Sequence, residues 1–238
     1  METRKKRRSK VDIERSIVNA AIQIIEEKGF SGITVTEILH KARVEPVVFY
    51  NRYDDLNDFI SEFVKSYDYW FSDIVKDIRR DVAEKERYKC ILNSLFISLS
   101  QNRIMQQLLK WELSVNNETS QRTAQLREFH TMPLVREYGD LFKHSSLDIV
   151  AVSSLIIGGL YYLILHNELS TFSGIDVNTD EGYRRIHAAI NSLSELFFSE
   201  LSSHEKIITI AKKMKAKKID EEIIIECTGL SKFLVQEI

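Results

Sequence analysis

The stretch Thr34–Tyr53, TVTEILHKARVEPVVFYNRY, decides how this chain of 238 residues is interpreted. Thr34 is suited to cap a helix, and Glu37 three residues later completes the pattern of a capping box. Arg43 opens a tight turn that leads to a second, two-turn helix over Pro46–Arg52. Proline fits the first turn of that helix, because the N–H that it lacks would have no partner there. The spacing predicts two short helices joined by a turn, and such a pair can lay one helix in a DNA groove.

A basic arm and a longer helix precede this pair. The arm, residues 1–10, carries six cations that we expect to contact phosphate: Arg4, Lys5, Lys6, Arg7, Arg8 and Lys10. A solubilising tail is the alternative for such a run of charge. The helix is predicted from about Asp12, which would cap it, to Lys28, and Gly29 would stop it. Its apolar residues recur at helical spacing on one face: Ile13, Ile17, Ala20, Ala21, Ile24 and Ile25.

Composition favours an all-α protein in which charge is unevenly distributed. The chain has 44% hydrophobic residues but only 8 Gly and 2 Pro, so helix breakers are scarce. Residues 1–53 carry 11 Lys/Arg and 7 Asp/Glu, a net charge of +4, which leaves −6 for the remainder. A basic segment on an acidic body is typical of a small DNA-contacting module joined to a domain with another role.

Residues 11–63 resemble the TetR family of bacterial transcriptional regulators. The resemblance is carried by an ordered set of residues that covers about a quarter of the chain: Gly29, Thr34, Ile38, Ala42, Val44, Tyr50 and Tyr53. It implies a helix-turn-helix DNA-binding domain at 11–57, with the motif at 33–52. It also implies a helical ligand-binding and dimerisation domain, which we assign to 58–203.

The predicted DNA-binding residues of the motif lie on its second helix and at the start of its first. Val47 and Val48 are expected to contact thymine methyl groups, and Asn51 and Arg52 to reach bases or phosphates. The resemblance implies phosphate contacts for the Tyr50 hydroxyl and for Thr34. The full predicted set in the motif is Thr34, Thr36, Arg43, Pro46, Val47, Val48, Tyr50, Asn51 and Arg52.

Three departures from the family pattern fall near this predicted surface. Arg43 replaces the usual turn glycine, and a left-handed backbone there would cost about 1 kcal/mol while placing a cation near DNA. Glu45 replaces a small N-cap residue and brings a negative charge. Leu56 replaces the lysine that opens the fourth helix, so we expect one phosphate contact to be missing. The consequence is either weaker binding or compensation by Arg43, Arg52 and the basic arm.

The body is predicted to contain a series of longer helices. A fourth helix, capped by Asp54 or Asp55, would run to about Ile78, followed by helices at 84–100, 102–116, 118–140 (bent or broken near Pro133), 146–168 and 180–202, with Ser170–Thr179 as the clearest loop. Helices 146–168 and 180–202 have broad apolar faces, so the homodimer that the resemblance implies is expected to form through them. An intramolecular core is the alternative. The uncharged window Ile149–Leu165 is interpreted as a buried core helix rather than a membrane span.

A small-molecule pocket is the other property that the resemblance implies for the body. Aromatic or polar side chains on apolar helices are the candidate effector-binding residues: Trp70, Trp111, His130, Tyr161, Tyr162 and His166. Plain core packing is the alternative for each of them. The sequence specifies nothing about the ligand beyond a small apolar or amphipathic molecule.

Residues 204–238 are predicted to be a separate extension. An amphipathic helix over His204–Lys218 ends in a lysine-rich run, and residues 219–238, IDEEIIIECTGLSKFLVQEI, have the pattern of helix, Thr-Gly turn and helix. The segment resembles a short motif found at the ends of bacterial helix-turn-helix and transposase-like proteins. Two interpretations stay open: a second nucleic-acid contact in which lysines 212–218 bind phosphate, or a helical hairpin that packs on its own body or on a partner.

The sequence contains no pattern typical of an enzyme or a metal site. HExxH, GxSxG, Walker, Gly-rich dinucleotide and CxxC patterns are all absent, and Cys90 and Cys227 lie far apart. We therefore expect no enzymatic activity, no cofactor and no metal. The basic N-terminus is followed by polar residues, not by an apolar segment, so we expect a cytoplasmic protein.

The leading hypothesis is a homodimeric transcriptional regulator, a repressor released by a small ligand, that binds a palindromic operator in double-stranded DNA. The alternative is a helical interaction module that retains the DNA-binding domain only as a structural element. That alternative stays open because of the negative charge at Glu45, the loss of the lysine at Leu56 and the acidic body.

Overall fold

The computed structural model describes residues 8–238, and α-helices dominate it. The helices are α1 Lys10–Lys28, α2 Val35–Ala42, α3 Pro46–Tyr50, α4 Leu56–Lys65, α5 Trp70–Lys76, α6 Glu84–Gln101, α7 Arg103–Ser114, α8 Glu118–Leu141, α9 Ile149–His166, α10 Asp180–Ala216, α11 Glu221–Thr228 and α12 Lys232–Glu237. In this part of the chain the only β-type pairing is an isolated bridge between Phe172 and Ile175. The predicted all-α fold is confirmed.

Helices α1, α2 and α3 form the head, in which apolar faces enclose a small core. Its fully buried side chains are Ile17, Ala21, Ile24, Ile25, Ile38 and Phe49. Helix α1 begins earlier than predicted, because Ser9 is its N-cap: the Ser9 hydroxyl accepts from the Asp12 N–H at 3.1 Å. Asp12 accepts from the Ser9 N–H at 3.2 Å and completes a capping box, so the prediction that Asp12 is the cap was wrong. Gly29, with φ of 73°, stops the helix as predicted.

The head and the body share one continuous hydrophobic core. The Phe30 ring, which follows α1, stacks on Trp111 of α7 with ring centroids 5.3 Å apart. Phe49 of α3 packs on Phe59 of α4 at 5.7 Å. The predicted domain boundary at residues 57 and 58 is therefore crossed by apolar packing, and movements of α4 or α7 are transmitted directly to the head.

Two predicted helices differ from those observed. The fourth helix is split: α4 ends at Lys65, a turn follows, and α5 begins at Trp70. The predicted cap Asp55 is present, because its carboxylate accepts from the Asp58 N–H at 2.8 Å. Helix α8 continues through Pro133, so the predicted break did not occur. Proline there removes the hydrogen bond to the carbonyl of exposed Phe129, which can reach water instead.

Helix α10 runs antiparallel to α6 and leads away from the head. Near its start, Tyr183 stacks on Phe96 of α6 at 4.8 Å. Further along, Glu195 accepts hydrogen bonds from Lys85, at 2.9 Å, and from Lys89, both near the start of α6. The C-terminal end of α6, where the chain turns into α7, is the end that lies near α1. Glu26 of α1 and Gln101 of α6 line the same cleft there. The C-terminal end of α10, at Ala216, is therefore the end more distant from the head.

The prediction that this helix ends near residue 202 was wrong, because α10 continues to Ala216. The separate helix predicted over His204–Lys218 is its last part, and the predicted domain boundary at residue 203 lies inside it. Helices α11 and α12 pack on this part of α10 and on each other. They enclose a second hydrophobic cluster, distinct from the main core, whose buried members are Ala211, Ile224, Leu230 and Val235. We call residues 204–238 the terminal unit.

Candidate nucleic-acid interface

The turn between α2 and α3 has the geometry of a helix-turn-helix motif. Helix α2 ends at Ala42, and the backbone of its C-cap residue Arg43 is left-handed with φ of 53° and ψ of 54°. The Arg43 N–H donates to the His40 carbonyl and the Val44 N–H to the Leu39 carbonyl, at 3.3 and 3.1 Å. Glu45 is the N-cap of α3 but makes no side-chain cap hydrogen bond. One left-handed residue thus reverses the chain between the two helices.

Helix α3 presents a row of exposed side chains on a buried support. Phe49 and Ile38 are fully buried, whereas Val47 and Tyr50 are 63% and 54% exposed. The other predicted contacts Thr34, Thr36, Arg43, Pro46 and Asn51 are exposed as well, and Val48 is half-buried. The helix was predicted to extend to Arg52, but it ends at Tyr50, so Asn51 lies in the turn that follows. The predicted motif residues are therefore accessible to solvent, fully in most cases and partly at Val48 and Arg52.

Thr34 caps α2, as predicted, but the predicted capping box is incomplete. The Thr34 hydroxyl accepts from the Glu37 N–H at 3.2 Å. The Glu37 carboxylate pairs with Lys28 at 2.5 Å instead of returning to the cap. The Thr34 O–H and the first N–H groups of α2 remain able to donate, which suits an anion at this helix end.

Two predicted DNA-binding arginines have partners inside the head. The Arg8 guanidinium donates to the Ala42 carbonyl at 3.0 Å and also to the Arg43 carbonyl. The Arg52 guanidinium donates to the Val48 carbonyl at 2.7 Å. Both arginines thus provide partners for backbone carbonyls near the end of a helix. The absence of the usual turn glycine at position 43 was the feature of the sequence that could have indicated these pairings. Arg4, Lys5, Lys6 and Arg7 lie outside the described residues.

Charge makes the arm important to this interface. Residues 8–57 contain 7 Lys/Arg and 8 Asp/Glu, so this part of the head is not basic by itself. Lys28 and Lys41 are also paired, with Glu37 and Glu27. The excess positive charge predicted from the sequence therefore resides in residues 1–7, which carry 4 Lys/Arg and 1 Asp/Glu.

A cavity of about 470 Å³ lies in the body between α5, α6, α8 and α9. Its apolar wall includes Phe71, Ile91, Leu92, Leu134, Val135, Ile149 and Ile157, and its polar groups come from Tyr88, Arg127, Glu128, Thr131, Tyr138, Ser153, Ser154 and Tyr161. This combination of an apolar wall and a few polar groups is typical of small-molecule sites.

Of the six predicted effector-binding residues, only Tyr161 lines this cavity. Trp111 belongs to the core, and Trp70 lies in a separate cleft between head and body. His130 is near the Asp68 carbonyl at 3.1 Å, and Tyr162 stacks on His166 at 5.0 Å outside the cavity. The other five residues do not line this cavity, and their role in effector binding stays a prediction. Aromatic spacing shows that a residue is on an apolar face but not which of two faces borders a void.

Three of the tyrosines that line the cavity are affected by burial. Burial raises the pKa of Tyr88, Tyr161 and Tyr138, in the last case to about 12, so all three phenols stay neutral at pH 7. The Tyr88 hydroxyl lies 2.8 Å from the Ser153 hydroxyl, which itself donates to the Ile149 carbonyl. Arg127 is paired with Glu112, whose pKa burial raises even though the arginine opposes that shift.

Helix α9 is less buried than predicted. Ile149, Leu160 and Ile164 face the core, but Leu155 and Tyr162 are 77% and 48% exposed. It is the one helix in residues 8–238 whose length and apolar composition would allow it to cross a membrane, a test that core helices of soluble proteins also pass. The apolar faces predicted for a dimer are partly used inside the subunit, since Ile186, Ile190 and Phe197 of α10 are buried.

Solved structures with the same fold include TetR-family transcriptional regulators. A TetR-family transcription regulator from Marinobacter aquaeolei is 17% identical, with a TM-score of 0.55, over 78% of this chain and 95% of its own. The fatty acid degradation regulator FadR from Bacillus halodurans is 19% identical, with a TM-score of 0.56, over 80% and 96%. Reduced NemR from Escherichia coli is 15% identical, with a TM-score of 0.53, over 75% and 95%.

These comparisons define the class of fold. The chain has the TetR-type architecture, a helix-turn-helix head on a helical body, as its motif predicted. No family model matches the sequence, and no curated protein matches it significantly. At these identities the likeness concerns the fold.

Proposed function

We propose that this protein is a homodimeric, sequence-specific DNA-binding transcriptional regulator of the cytoplasm, a repressor whose DNA binding is modulated by a small molecule. The observation that carries the proposal is the α2–Arg43–α3 motif. Its exposed Val47 and Tyr50 stand on the buried Ile38 and Phe49. Apolar and polar side chains in that position can meet thymine methyl groups and phosphates in the major groove.

A two-fold dimer is supported by an exposed apolar stripe on α9 and α10. Leu155 and Tyr162 lie on α9 with the exposed Gly158 between them, and Leu196 is 63% exposed on α10. A Cβ added at Gly158 would meet no atom within 4 Å, so another helix can approach the backbone closely there. Pairing of α9 and α10 with their symmetry mates would form a four-helix bundle and cover this stripe.

Modulation by a ligand is supported by contacts that connect the cavity with α3. Helix α8 lines the cavity with Arg127 and Thr131. The same helix holds the turn after α4, because Arg122 pairs with the Asp68 carboxylate at 2.8 Å. Helix α4 in turn packs on Phe49 of α3 through Phe59. A ligand that displaces α8 would therefore change the position of α3 relative to the body.

The ligand that this cavity suits is a small, mostly apolar molecule with one polar end. The neutral phenols and the Arg127 guanidinium offer donors, and the rest of the wall is hydrocarbon. One structure of similar fold is a fatty acid degradation regulator, so a series of fatty acids and their amides is a reasonable first panel.

The experiment is a fluorescence-anisotropy titration of the full chain on its own promoter DNA between about 50 and 200 mM salt. We expect tight, sequence-selective binding whose affinity falls steeply with salt, because phosphate contacts release counterions. Addition of an effector should weaken binding at fixed salt. Binding that is absent, or that is the same on unrelated DNA, would instead support the alternative of a helical interaction module with a structural head.

A further inference from the structure

The terminal unit repeats the geometry of the head motif. Helices α2 and α11 both have 8 residues, and each position of the terminal motif lies 186 residues after its counterpart, as Glu221 does after Val35. Arg43 and Gly229 are both left-handed, with φ of 53° and 68°, and each donates its N–H to the carbonyl four residues earlier. The N-caps of the second helices, Glu45 and Ser231, have nearly the same backbone angles, −74° and 148° against −64° and 148°.

The correspondence extends to burial. Ile224 and Val235 are fully buried, as are their counterparts Ile38 and Phe49. Phe233 is 69% exposed on the first turn of α12, where Val47 is 63% exposed on the first turn of α3. Two unrelated stretches of sequence therefore form the same supported, outward-facing second helix. An exposed phenylalanine there has no packing role within the subunit, as α12 buries Val235 instead.

The terminal unit lies far from the head. Between Tyr183, near the α6–α7 end of the body, and Ala216 the helix α10 rises about 50 Å at 1.5 Å per residue. Its direction is away from α1, because Glu195 meets the opposite end of α6. A DNA segment bound by the heads would not extend to the terminal unit of the same subunit, so this unit is available for a different molecule.

Charge favours a nucleic acid as that molecule. Residues 204–238 carry 7 Lys and 6 Asp/Glu, a net charge of +1. The described part of the head, residues 8–57, carries 7 Lys/Arg and 8 Asp/Glu, a net charge of −1. Six of the lysines are exposed and make no ion pair in the described part of the chain: Lys206, Lys212, Lys213, Lys217, Lys218 and Lys232. Four of these six lie within residues 212–218, around the end of α10. The start of α11 is acidic, with Asp220, Glu221 and Glu222, so phosphate contacts would come from the end of α10 rather than from that helix start.

We infer that the terminal unit is a second DNA-binding module, which binds a DNA duplex separate from the one held by the heads. Lysines at the end of α10 contact phosphates, and Phe233 is presented to the groove on α12. The dimer then bridges two duplexes. The inference rests on the proposed function, because the terminal unit is compared with a head that is itself proposed to bind DNA.

A bridging assay with the full chain tests this inference. A promoter duplex is immobilised, saturated with protein, and then offered a fluorescent duplex of about 40 base pairs with unrelated sequence. We expect salt-dependent capture of the second duplex, and a reduction of about tenfold in the variant Lys212→Gln/Lys213→Gln/Lys217→Gln and in Phe233→Ala. Lys218 is left unchanged because its backbone φ is 58°.

Two controls separate the terminal unit from the heads. The charge-matched variant Arg80→Gln/Arg136→Gln/Lys143→Gln removes three exposed cations from the body and should capture the second duplex normally. The head variant Tyr50→Ala/Asn51→Ala should lose promoter selectivity but still bind unrelated duplex through the terminal unit in solution.

Each outcome decides the question. Promoter binding without capture of a second duplex, or capture that survives the lysine and Phe233 changes, would overturn the inference while the proposed function stands. Loss of all unrelated-duplex binding in the head variant would also overturn it. Promoter binding that is absent, together with unrelated-duplex binding that depends on the terminal lysines, would support the inference and refute the proposed function.

Discussion

At the scale of single residues, Arg43 combines two opposing contributions. Its left-handed backbone is unfavourable for a side chain with a Cβ, and its exposed guanidinium lies beside the α3 surface. The Arg8 guanidinium donates to the carbonyls of Ala42 and Arg43 and so helps to hold this turn. Stability and DNA affinity are therefore expected to change in opposite directions when Arg43 is replaced.

Arg43→Gly is predicted to raise the free energy of unfolding by about 0.5–1 kcal/mol, because glycine adopts φ of 53° without strain. The same change should reduce the slope of log affinity against log salt by about 0.9, the value for one lost phosphate contact. Urea denaturation and anisotropy measure the two effects. Arg43→Lys is the control, since it keeps the charge and the strain; an unchanged salt slope in Arg43→Gly would show that Arg43 makes no phosphate contact.

Phe49 and Val47 lie two positions apart on α3, and substitutions at them are predicted to have different effects. The change at Phe49 should affect the stability of the fold, and the change at Val47 should affect recognition of DNA. Phe49→Ala should cost about 3–5 kcal/mol in the free energy of unfolding, because this side chain is fully buried against Phe59 and Tyr53. Val47→Ala should change stability by less than about 0.5 kcal/mol, since the side chain is exposed, yet alter base preference at a thymine. Chemical denaturation and a binding-site selection provide the measurements; equal stability losses would contradict the assigned burial.

At the scale of helices, the ion pairs of Glu195 join α6 to α10 and should act in a pH-dependent way. Hydrogen bonds from Lys89 and Lys85 hold the pKa of the Glu195 carboxyl below its usual range. A folded-state pKa that is lowered contributes stability above the unfolded pKa, and that contribution is lost as the pH falls. The link is exposed to solvent, so its contribution should be small and sensitive to salt.

Glu195→Gln is therefore predicted to lower the melting temperature most at pH 7 and progressively less as the pH falls below the ordinary glutamate pKa of 4.5, with no difference left once the pH is below the lowered folded-state pKa. Thermal melts of wild type and variant across this range, at low salt and in about 1 M salt, measure the difference. Glu205→Gln, which changes an exposed carboxylate on the same helix, is the control and should follow the wild type throughout. A constant difference at every pH would mean that Glu195 acts through packing instead.

The sequence predicted elements better than contacts, for identifiable reasons. Backbone requirements are local, so the stop at Gly29 followed from residue type and spacing, whereas the left-handed position at Arg43 was indicated by the turn glycine of the family pattern. The continuation of α10 through residues 202–204 was missed because Ser-Ser-His looks like a cap, although no Gly or Pro occurs between Gly182 and Gly229. The cavity residues depend on which helices meet, and helical periodicity does not contain that information.

At the scale of the whole molecule, the exposed stripe of α9 and α10 leads to a prediction about assembly. Leu155→Glu/Leu196→Glu should convert a dimer into a monomer and weaken operator binding strongly, since two linked heads bind a palindrome far better than one. Sedimentation equilibrium gives the mass, and anisotropy gives the affinity. Leu113→Glu, at an 82% exposed leucine of α7, is the matched control. A dimeric mass for the double variant would exclude this stripe as the interface.

Helix α10 has a mechanical consequence beyond its length of 37 residues. Its first half is clamped in the body by Tyr183 and Ile190, and its last half leaves the main core after Leu201. An unbroken α-helix behaves as a stiff rod, so a tilt of about 5° of the clamped part displaces Ala216, which lies about 22 Å beyond Leu201, by about 2 Å relative to the body. A small tilt of the clamped part of α10 is thus carried to the terminal unit, as the short arm of a lever moves the long one.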